Sequence, residues 1–351
     1  MKDIALRFPA EWEKQEGILL SFPHNGRDWP GKYGAIQWAL VDFIKKVSEV
    51  EKVFLVIRDS KQQMVVLDKL TRANVNLGRV DFIQCKTNRS WMRDSGPIGL
   101  YSGTKRTFLN FAFNAWAKYS NYRLDRYVAG TVAKNFGVTP IRAHYKGKPV
   151  VMEGGALETN GAGTLITSEE CLLHPSIQVR NQGFTKQDYE AVFREFLGIQ
   201  HVIWVKDGIK GDDTHGHIDD LCRFVNRNTI VTVVEEDSED ENYAILQENL
   251  NILNASKLED GTAPNIVTLP MPRPIIYEGL RLPASYANFL ILNGRVLVPT
   301  FNDVNDSKAL AILATCFPDR EVIGIHALDL IWGFGTLHCL SQQIPASQAT
   351  K

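Results

Sequence analysis

The residue best suited to covalent chemistry is Cys339, which follows Trp332-Gly333-Phe334-Gly335-Thr336-Leu337-His338. Two glycines permit a tight loop, and a thiol presented after such a loop can serve as a nucleophile once deprotonated. A lone cysteine is otherwise a small buried hydrophobe. That description suits Cys85, Cys171, Cys222 and Cys316, which lie in apolar or helical stretches. His338 is the sequence neighbour of Cys339. On a strand the two would face opposite ways, which argues against His338 as its base.

The densest polar run is Gly211-Asp212-Asp213-Thr214-His215-Gly216-His217-Ile218-Asp219-Asp220. Four acids and two histidines in ten residues are too many for a core, although a solvated loop carries such charges as well. The strand-like run Leu221 to Val225 follows. On an extended chain His217 and Asp219 point to one face and can act together on one substrate. His215 joins them if the strand starts early; Gly216 equally allows a turn. The run has a superficial likeness to the His-x-His-x-Asp-His of zinc hydrolases. Its last histidine is absent and no other metal motif supports it, so neither a metal nor any other cofactor is expected.

Two further clusters complete the set. Trp91-Met92-Arg93-Asp94-Ser95-Gly96-Pro97 offers a ring face and a carboxylate, a pair suited to an organic cation. Arg93 and Asp94 equally suit structural ion pairs. The Gly-Pro step puts Asp94 near a strand end or in a loop. Glu153-Gly154-Gly155 adds an acid, its glycines reading as turn residues.

Something must hold these clusters together. Apolar strand-like runs break at Ser102-Gly103, Asn160-Gly161, Asn226 to Asn228 and Asn293-Gly294, then resume. These are hairpin signals. Helical periodicity falls between them, over Ala35 to Val50, Tyr122 to Phe136, Lys186 to Leu197, Glu241 to Ala255 and Asp306 to Cys316. Thr185 and Asp306 are the expected N-caps. A hairpin-plus-helix unit recurring roughly every 60–70 residues fits about five times into 351 residues. That predicts radial or solenoid repetition; an ordinary mixed α/β domain is the alternative.

Composition narrows the setting. The chain is 44% hydrophobic, enough for a large core, and 39 basic against 40 acidic residues leave a net charge of -1. No overall field favours nucleic acid or an anionic membrane. Five widely spaced cysteines, without a Cys-x-x-Cys, argue against a disulfide framework. Met1-Lys2-Asp3-Ile4 has no apolar signal core and no apolar run is long enough to span a bilayer, so a cytoplasmic protein is expected. The chain reads as one catalytic domain over 1–351, with a frayed tail at 346–351.

Taken in order, the clusters resemble the agmatine deiminases, within the wider guanidino-group-modifying superfamily that includes the peptidylarginine and arginine deiminases. The resemblance runs from Phe8-Pro9-Ala10-Glu11-Trp12 and Ser21-Phe22-Pro23-His24 through Trp91-x-Arg93-Asp94-x-Gly96-Pro97 and Glu153-Gly154-Gly155. It continues through Thr164 to Leu173, Gly216-His217-Ile218-Asp219 and Leu282-Pro283-Ala284-Ser285-Tyr286-x-Asn288-Phe289 to His338-Cys339. It implies an α/β fold, a five-bladed propeller of ββαβ-type repeats known as the pentein fold. It places the nucleophile on Cys339, the acid–base histidine on His217, guanidinium-binding carboxylates on Asp94 and Asp219, and a substrate contact on Asp213. The chain departs from the family pattern at Gly333 to Leu337, where Gly-Gly-Gly-Asn-x is common. It also departs at Asp213, where Glu is usual, and at His215, where Asp or Asn is common.

The implied substrate is a small guanidino cation. Asp94 and Asp219 would each take two of its N–H groups. Cys339 would attack the central carbon as thiolate. His217 would protonate departing ammonia and then activate water against the thiouronium intermediate. Agmatine carries an amine where arginine has a carboxylate, so an acidic pocket formed by Asp212 and Asp213 would discriminate between them, with Trp91 and Glu153 also near the substrate. Deimination of free or peptidyl arginine is the nearer alternative. A non-catalytic propeller binding protein is the more distant one. A homodimer is compatible with either.

Overall fold

A computed structural model describes residues 6–347. Five sheets share one plan: an antiparallel pair of strands whose second member runs parallel to a third. The pairs are Ile98–Ser102 with Lys105–Asn110, Glu158–Thr159 with Thr164–Ser168, Cys222–Asn226 with Thr229–Val234, and Leu290–Leu292 with Arg295–Thr300. All four predicted hairpin turns fall between these strands. The fifth pair joins the two ends of the chain, with Ser341–Pro345 antiparallel to Gln15–Ser21.

Each parallel step needs a crossover, and helices supply it. The periodicity placed Lys186–Leu197 and Asp306–Cys316 at their observed bounds. Thr185 caps the first of these through a capping box with Asp188, and Gly198 ends it in the left-handed region at φ 71°. Asp306 is not an N-cap. It is the first helical residue, and its carboxylate instead accepts the backbone N–H groups of Phe301 and Asp303 and the Tyr286 hydroxyl. The helix Ser60–Arg72 escaped the periodicity because its buried stripe consists only of Val66 and Leu70.

Central strands such as Lys52–Ile57 are buried on both faces, as parallel strands covered by helices must be. The largest apolar cluster includes Ile18, Phe43, Phe224, Phe289 and Leu297. Among the described residues no helix is long and apolar enough to cross a membrane. A frayed tail is expected at 346–351, but Ala346 is tied down: its N–H donates to Lys14 O and its carbonyl accepts from Tyr101. Residues 348–351 lie outside the described residues.

One regularity positions the chemistry. Just before the first strand of every unit, the chain makes a short helical or 3-10 turn or a loop, and a polar side chain sits there. Asp94 lies in Met92–Ser95, Gly154–Ala156 follows Glu153, and Asp219 and Asp220 lie in Ile218–Asp220. Asn288 immediately precedes Phe289 and Leu290, and Cys339 lies in Leu337–Leu340.

Candidate active site

Cys339 is buried, and its sulfur meets two side chains from other units. Asn288 Nδ2 donates to Sγ at 3.0 Å, and Sγ donates to Asp219 Oδ2 at 3.6 Å. Burial and the carboxylates of Asp219, Asp220 and Asp94 push the thiol well above its ordinary pKa. Asn288 binds the whole turn that carries Cys339. Its Oδ1 accepts from Thr336 Oγ1 at 2.7 Å, His338 N at 3.0 Å and Cys339 N at 3.4 Å.

The approach loop explains its own glycines. A Cβ on Gly335 would stand 2.8 Å from the Trp91 ring and 2.9 Å from Cys339 Cβ. Phe334, between the two glycines, adopts φ 69°. Trp91 packs against Trp29 with ring centroids 5.2 Å apart, and both Trp91 and Cys339 line a cavity of about 360 Å³.

Asp94 also lines the cavity. Trp116 Nε1 donates to its Oδ2 at 2.9 Å and Gly155 N to its Oδ1 at 3.1 Å. Burial raises its pKa to about 6, with Asp219 and Glu153 adding to the rise against His217. Trp116 reaches it from three consecutive left-handed residues, Ala115, Trp116 and Ala117, at φ 53°, 59° and 53°. That backbone costs on the order of 1–2 kcal/mol per residue. Asn114 Oδ1 accepting from Ala117 N, and Gln178 Nε2 donating to Trp116 O, help to hold it.

His217 stands 3.9 Å from Asp94 Oδ1 through Nδ1 and 3.8 Å from Glu153 Oε2 through Nε2. Burial would lower its pKa, but Asp94, Glu153 and Asp219 outweigh burial and raise it to about 9. The ring is therefore an imidazolium at neutral pH. The sequence reading set His217 and Asp219 on one strand face. In the structure Gly216 turns at φ 90°, His217 is extended, and Asp219 sits in the 3-10 turn before the strand. The turn, not strand alternation, brings both to the site. Gly154 and Gly155 sit in a 3-10 turn, as read, and are close-approach glycines as well: a Cβ on Gly155 would lie 2.4 Å from His217 Nδ1.

Asp219 Oδ2 accepts from His338 Nδ1 at 2.7 Å, while its Oδ1 is buried with no hydrogen-bond partner among the described residues. Burial raises the Asp219 carboxyl, yet His338, His217 and Arg223 outweigh it and hold the group below its usual range. Asp220, beside it, is pushed well up by burial and by Asp219. His338 Nε2 meets Glu11 Oε2 at 2.8 Å, and Glu11 in turn accepts from Arg223 at 2.7 Å. His338 thus faces a buried ionic cluster and not the sulfur.

The substrate-tail residues are distributed differently from the sequence reading. Asp213 lines the cavity, but its carboxylate is paired with Lys118 at 2.7 Å and accepts from the Tyr119 hydroxyl at 2.8 Å. Asp212 turns away from the cavity. Its oxygens accept from Thr214 N and Oγ1, Gly216 N and His217 N, which makes it the brace of the histidine loop. Glu153 is fully buried beneath His217, with both oxygens 3.2 Å from Arg180 Nε. Cys171, read as a core residue, packs there too: Glu153, Cys171 and His217 bring one potential ligand atom each within 4.8 Å. Arg180 against Glu153 makes that point hostile to a dication. Asp219, Asp220 and Cys339 form a second such group. His215 bonds Glu170 instead, so the His-x-His run does not converge.

Sequence reasoning gave no role to Asn288, Trp116, Asp220, Arg180 or Asp28. Asn288 lies in the Leu282 to Phe289 stretch that carried part of the resemblance, and Asp220 lies in the densest polar run. The others had no local signal.

The sequence profile of the Porphyromonas-type peptidyl-arginine deiminases matches residues 7–345. The agmatine deiminase of Pseudomonas fluorescens strain Pf-5 is 31% identical, over 97% of this chain and 95% of that protein. A cysteine-to-serine variant of C. jejuni agmatine deiminase, solved with substrate bound, is 32% identical with a TM-score of 0.86, covering 97% of this chain and 96% of that one. The agmatine deiminase of Enterococcus faecalis, solved catalysing its reaction, is 26% identical with a TM-score of 0.89, covering 98% and 96%. A match over nearly the whole chain, joined to a buried cysteine among carboxylates and an imidazolium, leads to one conclusion: the protein belongs to the Porphyromonas-type peptidyl-arginine deiminase family, has the agmatine deiminases as relatives, and is a hydrolase of carbon–nitrogen bonds in linear amidines.

Proposed function

We propose that the enzyme hydrolyses agmatine to N-carbamoylputrescine and ammonia through a covalent intermediate on Cys339. The observation that carries this reading is Asp219 Oδ1, a buried carboxylate oxygen beside Cys339 with no hydrogen-bond partner among the described residues. A guanidinium N–H satisfies it, and Asp94 takes the N–H groups of the other side. The arriving cation offsets the carboxylates that hold the thiol protonated, so the thiol releases its proton to solvent and thiolate forms when substrate is present. Sγ bonds to the central carbon, His217 gives its proton to the departing amino group, and ammonia leaves a thiouronium. His217, now neutral, takes a proton from water and the hydroxide adds to the thiouronium carbon; the C–S bond breaks as the ureido C=O forms, and the hydroxyl proton passes to the leaving sulfur, which restores thiol and imidazolium. None of these steps draws on a metal or a cofactor.

The relatives' names support the substrate, and the bonds of Asp94 and Asp219 support the binding mode. Five sheets of one plan, each led by a site residue, support a pentein propeller with the site at the junction of its blades. Five free cysteines support a reducing, cytoplasmic setting. One feature favours a second reading, deimination of free or peptidyl arginine: Arg27 is exposed at the cavity and could meet a carboxylate. A panel of agmatine, arginine and an arginyl peptide, assayed for ammonia, separates the readings. Agmatine should be turned over at least about 100-fold faster per unit concentration than the other two, a margin that unpaired buried charge can supply.

A further inference from the structure

The substrate proposed above is a dication, and the cavity must answer its second charge. Asp212 is turned away and Asp213 is already paired with Lys118. A third carboxylate remains in the cavity wall. Asp28 lines the same cavity, and its side chain is only 4% exposed. Its Oδ1 accepts from Arg89 NH1 at 3.1 Å and Asn25 Nδ2 at 3.2 Å. Its Oδ2 is buried with no hydrogen-bond partner among the described residues.

The surroundings set Asp28 apart from the reacting end. Arg89 lies over the Trp116 ring at 5.4 Å and the Tyr119 ring at 4.1 Å, and it donates to Asn121 at 2.9 Å. Trp116 bonds Asp94 with its Nε1. The order along the wall is therefore Asp94, Trp116, Arg89, Asp28. The single contact from Arg89 to Asp28 is monodentate and leaves one carboxylate oxygen unused. A buried acceptor of this kind costs free energy unless a donor arrives.

We propose that Asp28 is a specificity-determining residue whose Oδ2 receives the terminal ammonium of the substrate. This rests on the agmatine reading and deepens it. Such a contact explains selection of an amine-ended guanidine over an arginine, whose carboxylate would meet the Asp28 carboxylate. Burial raises the Asp28 carboxyl to about 6 against the pull of Arg89, so it is ionised at neutral pH. Asp125 and Tyr119 are the other titratable groups near it.

The test compares agmatine with n-butylguanidine, the same chain without the amine, on wild type and Asp28→Asn. Asparagine keeps the oxygen that Arg89 uses. Expected is a fall of about 10- to 100-fold in kcat/KM for agmatine, the range of one buried charge-assisted bond, and a change under about threefold for butylguanidine. An unchanged agmatine value overturns the proposal. So does an equal loss on both substrates in a variant with native thermal unfolding. A second measurement needs no variant: in wild type, the agmatine-to-butylguanidine ratio of kcat/KM should fall as pH drops through about 6. Effects of Asp94 and His217 act on both substrates and cancel in that ratio. A flat ratio overturns the proposal. Wild type that turns over butylguanidine but not agmatine, or neither, overturns the agmatine reading itself.

Discussion

His338 Nδ1 lies 2.7 Å from Asp219 Oδ2, so the histidine next to Cys339 in sequence serves the carboxylate rather than the sulfur. With Oδ2 occupied by His338 and Cys339, Oδ1, without a partner among the described residues, is the oxygen to which the proposed substrate binds. Glu11 fixes the other ring nitrogen, and Arg93 and Arg223 are the remaining charges around the ring. Replacing His338 by Asn should raise KM at least about tenfold and cost about 3 kcal/mol of stability, the range for breaking a buried pair. His338 is a main counterweight to burial at Asp219, so without His338 burial dominates there, the Asp219 carboxyl rises above its ordinary range to join Asp94, and the acid limb of kcat/KM moves to higher pH. A pH profile and thermal unfolding of the variant check both parts. An unshifted acid limb would leave His338 a packing residue only.

Asn288 is the donor on the sulfur. Asn288→Ala removes that bond and the clamp on Thr336, His338 and Cys339 backbone and side-chain groups. We expect kcat to fall about 100-fold, comparable to loss of one preorganised donor elsewhere. The thiol, already pushed up by burial and three carboxylates, should rise further. The pH dependence of alkylation by iodoacetamide reads this directly, and its midpoint should move upward relative to wild type.

These two residues show where sequence reading stops. Cys339 stood out because glycines precede it and the ordered blocks point to it. The helices at Lys186 and Asp306 stood out because their apolar faces repeat every turn. Asn288 and Trp116 act only through tertiary contacts, and a single amide or ring has no periodicity to betray it. Asp212 looked like a substrate contact because its type is right. Its oxygens are spent on backbone N–H groups two to five residues along, a geometry set by the left-handed His215 and Gly216 turn. Gly154 and Gly155 are legible as turn residues, but local sequence does not show that an added Cβ would lie 2.3 Å from Arg93 O or 2.4 Å from His217 Nδ1.

Glycine substitutions separate close approach from mere flexibility. Gly155→Ala puts a carbon 2.4 Å from His217 Nδ1, so the ring must shift. It should lower kcat at least about 100-fold through misplacement and destabilise by about 1–3 kcal/mol. Gly130, inside Val128–Asn135, has nothing within 4 Å of an added Cβ. Gly130→Ala should keep full activity and add about 0.5–1 kcal/mol, since alanine stiffens the unfolded chain and favours helix. Paired kinetics and denaturant titrations test the contrast.

The pH profile follows from two shifted groups. In the proposed mechanism Asp94, raised to about 6, is ionised to hold the guanidinium, and His217, raised to about 9, is protonated to expel ammonia. The free enzyme should therefore show kcat/KM falling below about pH 6 and above about pH 9, with its maximum between. Because the folded pKa of His217 lies above its ordinary 6.5, its contribution to stability is complete below that value and is lost as pH rises through about 9. Stability measured from pH 6 to pH 10 in wild type and His217→Asn should converge at the alkaline end.

The most direct test of the account is the intact mass of enzyme quenched in acid during turnover of agmatine. The account predicts an adduct of agmatine less ammonia on Cys339, and no turnover by Cys339→Ala. Sustained ammonia release by Cys339→Ala, with no adduct on the wild-type enzyme, would contradict it.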